Sequence, residues 1–218
     1  MMTAQRQINT LLLIATVLFA ACSAKQKEED LPFYNTPDFT PQWISSSDKN
    51  YNSIHTIAPF SLTNQNGETI TNKNVEGKIY IANFFFTRCG SICPKMNGNL
   101  KKVAEAFADN LGVFILSHSV TPDADSVTQL KAYSERSHIN SKQWWLLTGN
   151  KDEIYALARR SYFADEETGY NKSSKEFLHT ENAVLIDRKG RIRGVYNATL
   201  ELEINKLIEH IKLLLKEQ

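Results

Sequence analysis

"GKIYIANFFFTRCGSICPKM" occupies Gly77 to Met96, and its reading decides the fold. From Gly77 to Phe86 nearly every residue is apolar, β-branched or aromatic. A strand with one wet face alternates in polarity, so a continuous run indicates a strand covered on both faces. From Pro94 to Ala108 the spacing becomes helical, through Met96, Leu100, Val103, Ala104 and Phe107. Between the two elements stand Cys89 and Cys93, separated by Gly90, Ser91 and Ile92. Pro94 suits a first helical turn, where its missing N–H has no partner to lose. Reactive groups gather at such strand-to-helix edges in α/β sheets. Helix N-terminal amides also favour a thiolate over a thiol, and Arg88 and Lys95 add positive charge nearby.

The flanking sequence places this unit in a larger sheet. Ile57 to Thr71 reads as a strand, a turn at Asn66-Gly67 and a second strand. Gly112 to Ser119 is another buried strand, followed by a helix over Ala124–His138 opened by the cap-rich "TPDADS". Gln143–Thr148 is a third central strand and Lys151–Ser161 a helix. "NAVLID" and "RIRGVY" form a hairpin around Lys189-Gly190, and Leu200–Leu215 is an amphipathic closing helix. No internal repeat is present. This order predicts an α/β fold, a mixed sheet with helices on both faces. It resembles the thioredoxin-like fold with an extra N-terminal β-hairpin and a C-terminal hairpin.

The N-terminus bears on compartment. Arg6 lies in a short polar start, and Leu11–Ala21 is an apolar run of signal-peptide length, short for a membrane span. It ends at Cys22, after which "CSAKQKEED" turns polar. A cysteine directly after small residues at that point resembles a bacterial lipoprotein signal, cut before the cysteine that then carries lipid. Phe19 stands where that pattern usually has Leu, with Leu18 one residue further back. An ordinary secretory signal or a short anchor is the plainer alternative. The expected organisation is a signal over 1–21, a lipidated tether over 22–56 and one domain over 57–218. The tether carries Pro32, Pro37 and Pro41, but also Phe33, Tyr34, Phe39 and Trp43. Its second half is expected to dock on the domain. The chain is then held in the bacterial cell envelope by a lipid anchor, facing the periplasm or exterior. Its formal net charge of +1, with no basic run, gives no reason to expect nucleic-acid binding.

With Cys22 assigned to lipid, two of the three cysteines remain. Outside the cytoplasm, neighbouring free thiols are either a disulfide or held by a ligand. A purely structural disulfide here would close a loop of few residues and constrain little of the unfolded chain. Thioredoxin-type reductases have two residues between their cysteines; the three here let both sulfurs address a common atom without forbidding a disulfide. Two soft thiolates suit Cu(I) or Zn(II), and a structural zinc needs four ligands whereas Cu(I) accepts two or three.

Five histidines are candidates for a third donor. His210 lies among charges on the last helix, His138 ends a polar helix and His55 lies in the tether. His118 ends the Gly112–Ser119 strand near the functional edge and is a candidate auxiliary group. His179 immediately precedes a strand, in the loop that faces the cysteines in a thioredoxin fold. Thiol oxidoreductases of that fold place a cis-proline there, yet no proline follows Pro122. A lone loop histidine is ordinarily exposed or satisfied in the core; this position and the missing proline favour a ligand.

With these residues assembled, the chain from about Ile57 onward resembles the SCO1/SenC family, the Sco copper chaperones. The likeness rests on "FFFTRCGSICPKM", "GVFILSHSVTPDADS", "LLTG" and "FLHTENAVLIDRKGRIRGVY". It implies that Cys89, Cys93 and His179 bind one copper, as Cu(I) or Cu(II), for a copper-accepting oxidase subunit. A copper donor or thiol–disulfide partner is implied as well. Family members often carry an acid before the histidine and a serine after it, where this chain has Leu178 and Thr180. Many have "SVDP" where this chain has "SVTPD", and Asp123 is expected to replace the lost acid. Met96 is a candidate weak copper contact, but flexible thioethers more often fill core gaps. The alternative is a thiol–disulfide reductase using Cys89 and Cys93 as a redox pair. "FTRC" is also similar to a peroxidase loop, but lacks the proline and threonine such loops need before the cysteine.

Overall fold

The computed structural model describes residues 30–140, 142–165, 178 and 180–217. A seven-stranded sheet organises the domain. Its strands are β3 (Ser61–Asn64), β4 (Thr69–Thr71), β5 (Ile79–Phe85), β6 (Val113–Ser119), β7 (Trp144–Thr148), β8 (Asn182–Ile186) and β9 (Ile192–Asn197). A separate two-stranded ribbon, β1 (Phe33–Tyr34) with β2 (Pro41–Gln42), precedes them. The helices are α1 (Asn72–Val75), α2 (Ile92–Ala106), α3 (Val127–Arg136), α4 (Lys151–Ala156) and α5 (Glu201–Lys216). The sheet runs β4-β3-β7-β6-β5-β8-β9. β5 pairs in parallel with β6 and antiparallel with β8, so it has neighbours on both sides as well as cover on both faces. All seven of its residues are buried, which accounts for its unbroken apolar run.

One face of the sheet packs against α2, α3 and α5 through Met96, Leu100, Leu130, Leu207 and Ile211. The other face packs against α4 and the turn after it, through Ile154, Tyr155, Ala158 and Tyr162. Asn66-Gly67 and Lys189-Gly190 are the expected hairpin turns, with Gly67 at φ 82° and Gly190 at φ 76°. Those left-handed values are free of strain only for glycine.

Three of the differences from the sequence reading have a clear physical cause or consequence. The helix expected from Ala124 starts at Val127, because Ser126 is its cap and accepts from the Gln129 N–H at 3.3 Å. The helix expected over Lys151–Ser161 is α-helical only to Ala156 and continues as a π-turn over Leu157–Ser161. The tether meets the body earlier than expected. Leu31 and Phe33 are already buried, and the second half docks as expected through Phe39, Ile54 and His55, while Trp43 is 64% exposed. Arg193 holds this entry segment. It donates to the carbonyls of Leu31 (2.7 Å) and Pro32 (3.1 Å), lies 4.3 Å from the Phe33 ring centre, and pairs with the Glu217 carboxylate.

Candidate metal and thiol site

The dithiol lies at the C-terminal end of β5. After Phe85 the chain turns tightly, with the Cys89 N–H donating to the Phe86 carbonyl at 3.2 Å. Cys89 is half-buried beside this turn, and Cys93 is buried in the first turn of α2. Both are free cysteines, and the Cys93 N–H points at the Cys89 sulfur at 3.4 Å.

The two thiols differ electrostatically. Burial pushes Cys89 up, but hydrogen bonds from the Cys93 side chain and from the backbone at Cys93, Ser91 and Ile92 outweigh it. The net result is a thiol held below its ordinary value. Burial pushes the Cys93 thiol up to about 12, and donation to Cys89 adds to the rise. The pair thus consists of an accessible, thiolate-prone sulfur and a buried, protonated one. Such a pair can exchange disulfides, the accessible thiolate attacking first. Deprotonated together, the two sulfurs supply two soft ligands to a metal.

A carboxylate fixes the turn that carries Cys89. Asp125 is fully buried. It accepts from the Thr87 hydroxyl (2.5 Å) and N–H (3.2 Å), the Ser119 hydroxyl (2.6 Å) and the Thr121 hydroxyl (3.0 Å). It therefore ties the end of β6 to the residue two before Cys89. In the sequence this aspartate reads as part of a helix cap. Its partner Thr87 lies 38 residues away, and no local signal links the two. Asp123, expected to supply an acid, is exposed. The buried acid is Asp125.

The other candidates separate cleanly. Met96 is 1% exposed in the core cluster beneath Cys93, so it is a packing residue. His118 is buried, but on the other face: it stacks on Phe84 at 5.1 Å between ring centres and sits 5.4 Å from Tyr162. The register pairs Phe84 with His118, whereas Cys93 and α2 cover the opposite face. His55 bonds the Ser161 carbonyl at 2.8 Å through Nε2, and His138 is exposed. His210, which the sequence places among charges on the last helix, is half-buried and hydrogen-bonded to the Tyr196 hydroxyl at 2.6 Å.

Cys22 and His179 lie outside the described residues. The flanks of His179 are placed: Leu178 and Thr180 are buried, and Thr180 accepts from the Asn182 N–H at 3.1 Å through its hydroxyl. Asn83 pairs with Ala183, which sets the start of β8 beside the end of β5 from which the cysteines emerge. Among the described residues, no group of three or more His, Cys, Asp or Glu side chains is placed to hold a metal.

A dithiol at the end of a buried strand, with this sheet order, defines a protein of the thioredoxin-like class. Comparison with known proteins narrows the class. The model of the family SCO1/SenC matches residues 48–216, and the chain belongs to that family. The "SCO1 protein homolog" of Bacillus subtilis is 27% identical over 158 residues, covering 72% of this chain and 81% of that protein. The solved structure of BsSco, described as "a member of the Sco family of cytochrome c oxidase assembly proteins" with a "disulfide switch", superposes with a TM-score of 0.65. It is 26% identical, covering 76% of this chain and 96% of that one. ScoI of Bradyrhizobium japonicum, solved with copper bound, gives a TM-score of 0.58 at 26% identity, covering 73% of this chain and 99% of that one.

Proposed function

We propose that the protein is a copper chaperone of the cell envelope that delivers its metal to a cytochrome c oxidase. The observation that carries this reading is the free Cys89–Cys93 pair at the end of β5, within a chain of the SCO1/SenC family. Copper is cargo here. Cys89 and Cys93 bind it as thiolates, and His179 completes the set from the loop before β8. An accessible Cys89 suits ligand exchange, because an incoming sulfur can reach the metal before the buried Cys93 lets go. The copper bound in a relative of this family and the oxidase-assembly role of another support the reading. The apolar run before Cys22 supports a lipid anchor with the domain outside the cytoplasm.

Anaerobic Cu(I) titration of the purified domain tests it. Expected is about one equivalent bound, a large loss with Cys89→Ser or Cys93→Ser, and weakened retention with His179→Ala. Binding well below one equivalent would sink the reading.

A second role has its own observation. Cys89 is half-buried and Cys93 is buried directly behind it, the arrangement of an attacking and a resolving cysteine, which favours thiol–disulfide exchange on the same pair. In that role His179→Ala leaves most of the electron-transfer rate in place.

A further inference from the structure

A groove of about 420 Å³ opens beside Cys89, between α2 and α3. Thr87 and Cys89 line it together with buried Trp144 and Tyr133 and with exposed Lys101 and Arg136. No Asp or Glu is among its described lining residues. The whole chain is nearly neutral, so this positive lining is a local feature rather than part of a general field.

A second observation concerns Gly98, which lines the same groove. It stands inside a 15-residue helix, where glycine costs roughly 0.5–1 kcal/mol relative to alanine. A Cβ built there meets nothing within 4 Å. Packing among the described residues therefore gives no reason for the missing side chain. What the glycine does is keep the groove open and the helix backbone approachable from outside.

We infer that this groove receives an extended segment of a partner protein, one carrying the cysteine that engages Cys89 and flanked by Asp or Glu. Its carboxylates meet Lys101 and Arg136, and its backbone passes over Gly98. The inference rests on the proposed function and specifies the partner of that site. The exchange step needs no outside oxidant. The Cys89 thiolate attacks the partner sulfur of a disulfide, the Cys89–partner S–S bond forms, and the other sulfur leaves as a thiolate with the bonding pair. Cys93, on losing its proton to solvent, then displaces the partner thiolate and closes the Cys89–Cys93 disulfide.

The test uses short peptides whose single cysteine is joined by a disulfide to thionitrobenzoate, with either two acidic or two basic residues on each side. Initial release of the aryl thiolate by the reduced protein is measured without copper, and each rate is divided by the rate with a small uncharged disulfide. Expected is a preference for the acidic peptide of at least about fivefold, the scale of two solvent-exposed charge pairs. Lys101→Glu with Arg136→Glu should abolish or invert that preference. Gly98→Leu should lower the normalised acidic-peptide rate while raising the thermal midpoint of unfolding. Equal normalised rates for the two peptides, or a preference unmoved by the charge reversals, would overturn the inference. So would inhibition by millimolar phosphate at constant ionic strength, which would assign the groove to a small anion. Because no copper is present, a failed copper titration and a failed peptide preference are separate outcomes.

Discussion

Replacing His118 with Phe should remove an acid-labile element of the fold while leaving copper binding intact. The ring is stacked on Phe84, with Tyr162 and Phe60 completing an aromatic surround. Its Nδ1 lies 3.4 Å from the Asn83 carbonyl, and its Nε2 has no hydrogen-bond partner among the described residues. Burial holds the imidazole down at about 4, against an ordinary value of 6.5. Between those two values the unfolded chain binds the proton and the folded chain does not. The stabilising contribution is therefore present above about 6.5 and is lost as pH falls toward 4. From these two values, acidification from pH 7 to pH 5 removes roughly 2 kcal/mol through this one residue. Phe keeps the ring in its aromatic setting and deletes the stranded nitrogen, a change that can be neutral or stabilising. The assay is urea unfolding of wild type and His118→Phe at pH 7 and pH 5. Reading the difference between the two pH values cancels any constant packing cost of the larger ring. The variant should lose roughly 2 kcal/mol less than wild type over that interval. Equal losses would refute the burial argument. A drop in copper stoichiometry in the variant would refute the placement of His118 away from the dithiol face.

Asp125→Ala should strand the Thr87 N–H and three hydroxyls, destabilise the fold by about 2–4 kcal/mol and slow alkylation of Cys89. A denaturant midpoint within error of wild type would count against the clamp. Iodoacetamide at pH 8 should label Cys89 well before Cys93, as peptide mapping would reveal, because only Cys89 is held below its ordinary value. The raised value of Cys93 has a further consequence. Its stabilising contribution is complete below the unfolded thiol's range and is lost as pH rises toward about 12. Cys93→Ala should therefore flatten the alkaline loss of stability, and an unchanged alkaline profile would contradict this. Arg193→Met should cost about 2 kcal/mol and expose the chain near Leu31 to limited proteolysis, since it removes donors to two carbonyls and the pairing with Glu217. Protease resistance equal to wild type would show that Phe33 packing alone holds the segment.

Much of the architecture was legible because its signals are local. Seven consecutive buried residues in β5 leave an apolar run that no surface strand has. Asn66-Gly67 and Lys189-Gly190 announce their turns because only glycine takes those backbone angles without strain. The helix starts were less legible. At α3 two capping residues, Asp125 and Ser126, compete in sequence. Which one caps depends on the hydroxyls that capture Asp125, from Thr87 in the turn after β5 and from Ser119 at the end of β6. The early contact of the entry segment was illegible for a similar reason. Leu31 and Phe33 are anchored by Arg193 on β9, which bonds the Leu31 and Pro32 carbonyls from some 160 residues away.

At the site, spacing and placement were enough to single out Cys89 and Cys93, because a thiol pair at a strand-to-helix junction is a local pattern. The difference between the two thiols was not a local property. It follows from which sulfur α2 buries and which one receives the backbone N–H groups. His118 and Met96 were ambiguous in the sequence because alternation along a strand and spacing along a helix define a face without saying what covers it. Asp125 and the Lys101–Arg136 groove lie further still from sequence reasoning. Each joins residues tens of positions apart, and only the packing of α2 and α3 against one sheet brings them together.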